Sequence, residues 1–301
     1  MKVAVTGASG FLGPSLVQRL LERGHGVHVL ARDVKRTLGR LPSGVTGSYY
    51  DTITPLSPDA LAGAEAVIHL AGEPVSQRWT ENARRRIQES RVVGTRMLVE
   101  AMRAAGTVRR FVSASAAGYY GADRGAEPLT ETGSPGEDFL AQVCRAWEAE
   151  ALEADAAGIP TVVPRFGVVL HPSGGALKKM LPAFRMGVGG RMGSGKQYLS
   201  WIHRDDAVGL LLFALEREEL RGPLNVTAPE PVTNADFAHT LGATLHRPSL
   251  LPVPSLALKG LFGEMSLIVL GGQRVLPRAA LEAGYSFQYA ELAPALRSLL
   301  T

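Results

Sequence analysis

The glycines at positions 7, 10 and 13 have a spacing that can bind a phosphorylated ligand. They follow the apolar run Val3-Ala4-Val5 and precede a predicted helix. In a strand–turn–helix unit, Gly7 permits the tight turn, Gly10 lets a pyrophosphate approach the backbone, and Gly13 lets the helix pack on the strand. The unpaired N–H groups of the helix N-terminus then bind the anion. This motif predicts a dinucleotide site at the start of the chain.

The residues after the second predicted strand bear on which dinucleotide is bound. An acidic residue there accepts hydrogen bonds from the ribose 2′-OH of NAD, whereas a basic residue suits the 2′-phosphate of NADP. Arg32 occupies this position, and Arg36 lies one helical turn beyond it. Asp33 comes one residue later and should point the other way if the strand continues. We therefore expect a preference for NADP(H).

The elements that must position these residues alternate between strand and helix. Apolar runs predict strands at 3–6, 27–31, 47–50, 66–70, 110–115 and 161–166, and helical spacing predicts helices at 11–23, 81–105 and 137–156. This alternation is typical of βαβ units around a parallel sheet. We predict an α/β fold, a Rossmann-type doubly wound parallel sheet with a smaller C-terminal substrate lobe.

The second half of the chain is less regular. Asp205 is the expected N-cap of the helix that begins directly after it. Further along the chain, residues 224–227 predict a late strand. We expect residues 1–166 to form the NADP-binding domain, with segments around 201–227 returning to it. Residues 167–301 should then form mainly the substrate-binding lobe.

Composition limits the class of protein. Of 301 residues, 46% are hydrophobic and 20% charged, which is typical of a globular chain and not of a disordered one. No apolar stretch is long enough to span a bilayer, and the N-terminus lacks the pattern of a signal peptide. The single cysteine, Cys144, excludes an internal disulfide. These features favour a cytoplasmic location.

The net charge of +4 favours anionic partners. A phosphorylated cofactor and a nucleic acid are two such partners. Five arginines fall in the long helical segment: Arg84, Arg85, Arg86, Arg91 and Arg96. They lack interleaved aromatics and any known reader motif, so we interpret them as a solvated helix face and expect no nucleic-acid partner.

Other chemistries are disfavoured by the motifs. Residues 190–197 nearly match a P-loop, but Gln197 cannot supply the hydroxyl that binds Mg²⁺. No spacing of His, Cys, Asp and Glu suggests a metal site, and no Gly-x-Ser-x-Gly elbow suggests a hydrolase.

Several segments together resemble the extended short-chain dehydrogenase/reductase superfamily. They are residues 6–13, 69–72 (H-L-A-G), 91–95 (R-V-V-G-T), 113–121, 164–167 (P-R-F-G) and 201–206 (W-I-H-R-D-D). Residues 69–73, 113–121, 193–195 and 270–274 resemble more closely one bacterial and organellar branch, whose members are labelled sugar-nucleotide epimerase-like and have largely undefined substrates.

This resemblance implies a set of cofactor contacts and an assembly. Glycine-turn residues should lie along the pyrophosphate, Asp51 should reach the adenine edge, and the segment after the fourth strand should pass beneath the ribose and nicotinamide side. The full set of expected cofactor residues is Gly7, Ser9, Gly10, Phe11, Leu12, Arg32, Arg36, Asp51, Leu70, Ala71, Gly72, Phe166 and Gly167. Relatives often dimerise through the helices that follow strands four and five, so a homodimer is expected.

The sequence departs from the superfamily where proton transfer occurs. Members normally use a serine, a tyrosine and a lysine, and the lysine ammonium lowers the pKa of the tyrosine. The Tyr-x-x-x-Lys motif lies on the helix after the serine strand. In this chain the best alignment places Leu140 at the tyrosine position and Cys144 at the lysine position. The cofactor site is therefore complete, while the proton-transfer site is not.

Two functions follow from this departure. In the first, the protein is an NADP(H)-dependent oxidoreductase or epimerase acting on a carbonyl compound or sugar nucleotide, with Ser115 and Tyr120 as candidate catalytic residues. Without a nearby lysine, the pKa of a tyrosine should stay near ~10, which makes it a weak base. In the second, the protein is a catalytically silent NADP(H) sensor or a partner-binding protein, similar to relatives labelled as cell-division regulators.

Overall fold

The computed structural model describes residues 1–300. Its strands are β1 (Lys2–Thr6), β2 (Gly26–Ala31), β3 (Thr46–Tyr49), β4 (Ala66–His69), β5 (Arg110–Ser113), β6 (Ser115–Ala116), β7 (Asp123–Leu129), β8 (Thr161–Phe166), β9 (Val168–Leu170), β10 (Tyr198–Leu199), β11 (Trp201–His203), β12 (Gly222–Val226), β13 (Val232–Thr233) and β14 (Gly272–Val275). Its helices are α1 (Gly13–Glu22), α2 (Val34–Leu38), α3 (Glu81–Ala105), α4 (Phe139–Ala156), α5 (Gly175–Arg185), α6 (Arg204–Glu216), α7 (Asn234–Thr244), α8 (Ser255–Phe262), α9 (Leu267–Leu270), α10 (Arg278–Glu282) and α11 (Leu292–Leu300).

The main sheet of the described chain has the order β12-β8-β5-β4-β1-β2-β3, and β6 adds to β8 as an eighth strand. Its neighbouring strands are all parallel, with Val3 opposite both Val27 of β2 and Ala66 of β4. The predicted parallel sheet is confirmed. The strand order reverses between β1 and β4, so the carboxyl ends of these two strands flank the crevice in which such sheets bind ligands.

Helices cover both faces of this sheet, as expected for a doubly wound fold. On one face, Leu16 and Leu20 of α1 pack with Leu211 of α6 against Val3 and Val5. The other face carries α3 and α4, whose apolar side chains surround Ala4, Val67 and Phe111. Because side chains alternate along a strand, β1 sends Val3 and Val5 to one core and Ala4 to the other.

A third apolar cluster joins helices of the C-terminal half. Leu177 and Phe184 of α5 pack there with Trp201, Phe237 of α7 and Leu296 of α11. A separate parallel pairing of β7 with β14 was not predicted, because the polar sequence of β7 lacks the alternation of a half-buried strand. The late strand expected at 224–227 is present as β12, and it joins β8 at the sheet edge.

The start of α6 differs from the prediction. Asp205 is not the N-cap, because the N-cap lies two residues earlier at His203, whose Nδ1 accepts the hydrogen bond from the Asp205 N–H at 3.0 Å. The fully buried Asp206 instead accepts from the backbone N–H groups of Gln288 and Tyr289, each at 2.9 Å. These bonds anchor the segment that precedes α11. Among the helices of residues 1–300, none is long and apolar enough to cross a membrane.

Candidate functional site

The glycine turn after β1 is shaped by close backbone contacts. Gly7 has a φ of 71°, and a methyl group added there would lie 2.8 Å from the carbonyl carbon of Leu70. Gly13 is even more restricted, because its added methyl would lie 2.2 Å from the Ala8 oxygen. The Gly10 N–H donates to the Gly7 carbonyl at 2.9 Å and closes the turn. Only glycine therefore fits at positions 7 and 13 without displacing backbone.

The helix that follows this turn begins without a side-chain cap. Leu12 is the N-cap of α1 and makes no side-chain hydrogen bond to the first turn. The first N–H groups of a helix have no partner within the helix and carry its partial positive charge. An anion at this end would satisfy them, which agrees with the predicted positions of Ser9, Phe11 and Leu12 beside a pyrophosphate.

A buried hydrogen-bond chain fixes the spacing between β1 and β4. The Thr6 hydroxyl accepts from the N–H groups of Leu70 and Ala71, at 3.0 and 3.1 Å. It therefore donates its single proton to His69 Nδ1, 2.7 Å away. Burial, helped by the charge of Arg91, lowers the pKa of His69 to about 3, so the ring is neutral. These bonds hold the segment 70–72 against the glycine turn.

The carboxyl ends of β2 and β3 present a basic and an acidic group. Arg32 and Arg36 are exposed, and Asp33 is occupied as the N-cap of α2, accepting from the Arg36 N–H at 2.9 Å. Asp51 accepts from Ile53 N–H at 2.8 Å and from Tyr49 and Thr54. These hydrogen bonds lower the pKa of Asp51 to about 2. Arg32 and Arg36 are thus exposed cations at this edge, and Asp51 is a charged group held by its own turn.

Phe166 and Gly167 lie where the main sheet meets the C-terminal half. The Gly167 N–H donates to the Val226 carbonyl at 3.1 Å, and an added methyl would lie 2.3 Å from the Ser200 oxygen. Phe11, from the glycine turn, packs against Gly174, whose added methyl would lie 2.4 Å from the Phe11 ring. The glycine turn therefore contacts the start of α5 through Phe11.

The α4 positions expected to carry tyrosine and lysine face the turn after β6. An added methyl at Gly118 would lie 3.7 Å from Leu140 Cβ and 3.9 Å from Cys144 Sγ. Burial, helped by Glu148, raises the pKa of the Cys144 thiol to about 12. Cys144 is therefore a neutral, buried group that supplies no positive charge and no thiolate at neutral pH.

Ser115 belongs to a buried ionic network. Its hydroxyl donates to Glu148 Oε1 at 2.6 Å, and Glu148 forms a two-pronged ion pair with Arg165 at 2.9 and 2.7 Å. All three residues are buried, and the Arg165 guanidinium lies 3.5 Å from the centre of the Tyr119 ring. The two-pronged pairing with Arg165 holds the Glu148 carboxylate in place, and this carboxylate fixes the direction of the Ser115 hydroxyl.

Tyr120 lies at the other end of the same network. Its ring is fully buried, and its hydroxyl lies 2.7 Å from Asn225 Oδ1, 2.9 Å from the Thr130 carbonyl and 3.0 Å from Arg165 Nη1, which donates to it. Burial raises the pKa of this hydroxyl, and the charge of Arg165 offsets only part of that shift. The structure thus joins Ser115 and Tyr120 through Glu148 and Arg165, while it satisfies the Tyr120 hydroxyl internally.

Sequence reasoning missed the partners in this network and one arginine of α3. The sequence did contain a signal for Arg165, which is a charged residue within the apolar strand T-V-V-P-R-F. A buried charge needs a partner, so this position indicated an ion pair. Arg91 is only half exposed and lies over the Trp147 ring at 5.1 Å. The predicted solvated face is therefore wrong for Arg91, whose spacing from the buried Ile87 and Gly94 places it on the inner side of α3.

Known proteins share this architecture over the whole chain. Residues 3–226 match the model of the NAD dependent epimerase/dehydratase family. The chain belongs to this family. Residues 253–299 also match a domain of unknown function, DUF1731. Relatives include the epimerase family protein SDR39U1 homolog, chloroplastic, of Arabidopsis thaliana, which is 41% identical over 100% of this chain and 87% of its own length.

Two solved structures extend the comparison. The human epimerase family protein SDR39U1 (isoform 2), crystallised with NADPH, is 33% identical and has a TM-score of 0.85, with 99% of each chain covered. A nucleoside-diphosphate sugar epimerase from Corynebacterium glutamicum is 34% identical with a TM-score of 0.81, and the match covers 100% of this chain and 58% of the other. The resemblance to epimerase-like relatives inferred from the motifs is confirmed.

Proposed function

We propose that this protein binds NADP(H) and acts as an oxidoreductase or epimerase on a carbonyl compound or sugar nucleotide. The observation that carries the proposal is the glycine turn, in which Gly7 packs on the Leu70 backbone and α1 begins uncapped. The human relative crystallised with NADPH supports the choice of cofactor, and the epimerase from Corynebacterium glutamicum supports the substrate class.

The residues present fit a phosphorylated dinucleotide. Gly7, Ser9, Gly10, Phe11 and Leu12 would hold the diphosphate at the uncapped helix end. Arg32 and Arg36 are exposed cations that would bind the 2′-phosphate by charge-assisted hydrogen bonds. Residues further along the crevice would contact the adenine and the nicotinamide side: Asp51, Leu70, Ala71, Gly72, Phe166 and Gly167.

The nicotinamide, when bound, would supply or accept a hydride. From this chain we propose that the Ser115 oxygen accepts a hydrogen bond from a substrate hydroxyl, because its own proton is donated to Glu148 at 2.6 Å and its direction is thereby fixed. We propose that Tyr120 acts as a positioning residue, which holds Arg165 and through it Glu148. Arg165 holds the Glu148 carboxylate by two hydrogen bonds, so this group is a fixed hydrogen-bond acceptor for Ser115.

A specific observation also favours the second function, an NADP(H) sensor or partner-binding protein without catalysis. The Ser115 and Tyr120 hydroxyls are both hydrogen-bonded within the fold, and Cys144 stands at the lysine position. In such a protein the cofactor end is retained while the proton-transfer groups have become structural. The homodimer and the cytoplasmic location stay predictions of the sequence.

The cofactor proposal is tested by titrating the protein with NADPH and NADH, with Arg32→Glu as the variant. We expect tighter binding of NADPH, and a fall of the NADPH-to-NADH affinity ratio by about ten- to a hundredfold in Arg32→Glu, since charge-assisted hydrogen bonds contribute about 1.5–3 kcal/mol. Arg40→Glu, with the same charge change at an exposed position beyond α2, is the control. An unchanged ratio in Arg32→Glu would contradict the assignment of the 2′-phosphate site.

Activity is tested separately, with NADPH and a panel of carbonyl compounds and sugar nucleotides. The loss of reduced cofactor or the appearance of an epimer supports the enzyme. NADPH binding without turnover of any panel member supports the sensor. Ser115→Ala, which removes the hydroxyl bound to Glu148, should abolish turnover while NADPH binding is retained.

A further inference from the structure

Two segments of the C-terminal half lie side by side at the surface. We call them the paired segments: residues 185–196, which start at the end of α5, and residues 247–261, which run into α8. The Val253 N–H donates to the Arg191 carbonyl at 2.8 Å, and the Val253 carbonyl accepts from the Gly193 N–H at 2.9 Å. These backbone hydrogen bonds hold the two segments together, so their side chains belong to one surface.

Large apolar side chains are exposed along both paired segments. Their exposed fractions are 71% for Met186, 49% for Val188, 84% for Leu250, 56% for Leu251, 80% for Leu256 and 74% for Leu261. Within residues 255–261 of α8, only Leu258 is buried. Exposed apolar side chains that gather in one region mark a surface that contacts another molecule or a membrane.

The charges among these apolar side chains all have one sign. The paired segments contain no aspartate or glutamate, and their five cations are Arg185, Arg191, Lys196, Arg247 and Lys259. All five residues are exposed. Arg191 and Arg247 donate to the backbone carbonyls of Ser194 and Arg185, and these contacts leave their charges uncompensated. The surface therefore combines apolar side chains with a purely positive charge.

Charge complementarity distinguishes the molecules that could cover this surface. A two-fold dimer would place the same cations of both copies face to face, and like charges in such an interface are unfavourable. A single-stranded nucleic acid stacks its bases on aromatic rings, and the paired segments contain no aromatic residue. A membrane with anionic lipids matches both features, because its headgroups carry negative charge and its acyl boundary accepts apolar side chains.

We propose that the paired segments form a peripheral membrane-binding surface that is specific for anionic phospholipids. The exposed leucines of α8 and its neighbouring strand segment would enter the boundary between headgroups and acyl chains. The cations would bind the lipid phosphates, since lysine and arginine have long apolar stems that keep their charge at the level of the headgroups. A contact of this kind needs no helix that spans the bilayer. It is independent of the glycine turn and of the proposed NADP(H) binding.

The experiment measures co-sedimentation of the full chain with lipid vesicles. Vesicles of pure phosphatidylcholine are compared with vesicles of equal parts phosphatidylcholine and phosphatidylglycerol. We expect binding to the anionic vesicles and at least about tenfold weaker binding to the neutral ones, because five cations face the lipid. Added salt should weaken the binding to anionic vesicles by screening these charges.

Two variants test the two features of the surface. The double variant Leu256→Asp, Leu261→Asp should weaken binding to anionic vesicles by about tenfold or more, since it removes apolar side chains and adds negative charge. Leu281→Asp is its control, because Leu281 is 48% exposed and lies on α10, outside the paired segments. Lys259→Glu should also weaken binding, whereas the same charge change in Arg40→Glu, at an exposed position beyond α2, should have a smaller effect.

Three results would overturn the proposal. The first is that the unaltered protein does not sediment with anionic vesicles. The second is that Leu281→Asp and Arg40→Glu lose as much binding as the variants within the paired segments, because the attraction would then be non-specific. The third is self-association in analytical ultracentrifugation that the double variant abolishes, without vesicle binding, which would assign the surface to a second copy of the chain. Circular dichroism and thermal unfolding of each variant report that it is folded, and the exposure of the altered side chains favours this.

Discussion

The glycine turn after β1 and the buried network under α4 are built in different ways. At the turn, backbone packs on backbone, and the uncapped start of α1 leaves hydrogen-bond donors for a ligand. In the network, Ser115, Glu148 and Arg165 satisfy one another inside the fold. One end keeps its polar groups available, while the other uses its polar groups internally.

This difference explains how a family fold can keep cofactor geometry while its proton-transfer residues change. The turn depends on main-chain shape, so side chains elsewhere can vary without altering it. The network depends on a buried ion pair, and removing one member of such a pair leaves an uncompensated charge in the interior. Ser115, Glu148 and Arg165 are therefore coupled, whereas the cofactor turn is independent of them. The following predictions test that independence.

The largest effect is expected from Arg165→Met. This change leaves the Glu148 carboxylate buried without its cation, which should lower the free energy of unfolding by about 3–5 kcal/mol. Denaturant unfolding measures it, with Arg278→Met as a control because Arg278 and its partner Glu282 are both exposed, and such pairs contribute about 0–1 kcal/mol. NADPH affinity of the folded variant should be unchanged. A large loss of affinity would show that the two regions are not independent.

A smaller effect on stability, with a direct effect on binding, is expected from Gly7→Ala. The added methyl meets the Leu70 carbonyl carbon at 2.8 Å, and alanine is strained at a φ of 71°. Together these should cost about 2–4 kcal/mol and weaken NADPH binding. Gly24→Ala separates the two causes, because Gly24 has a φ of 76° and no atom within 4 Å of the added methyl. Equal losses of stability in both variants would mean that close packing at Gly7 contributes nothing.

The smallest effect is a pH dependence that belongs to the turn region. The pKa of His69 is lowered to about 3 in the fold, so between this value and its ordinary pKa of about 6.5 the unfolded chain binds more protons than the folded one. His69 therefore reduces stability as the pH falls below about 6.5, by about 1 kcal/mol per pH unit, and has no effect above it. Unfolding experiments from pH 7 to pH 5 should show a shallower decline in His69→Asn. The exposed His239→Asn is the control, and an identical slope in His69→Asn would contradict the assignment.

Sequence patterns predicted the sheet and the turn because both depend on local rules. Strand and helix periods located the elements to within a few residues, as for β12 and α4. The sequence of α4 contains neither tyrosine nor lysine, and the alignment of Leu140 and Cys144 with the Tyr-x-x-x-Lys pair stays a prediction. The prediction that Asp205 is the N-cap of α6 was wrong, because the choice between neighbouring capping residues depends on the exact first turn of the helix. His203 sets that turn.

The sequence by itself determined that this chain forms a doubly wound sheet with a glycine turn at its first strand, since strand periodicity and glycine spacing act over neighbouring residues. Only the tertiary structure decided that Glu148 and Arg165 enclose Ser115, and that Arg91 turns inward towards Gly72. These contacts join residues from separate strands and helices, so their partners follow from how the elements pack and not from any local pattern. The glycine turn was therefore readable from the sequence, and the buried network around Ser115 required the fold.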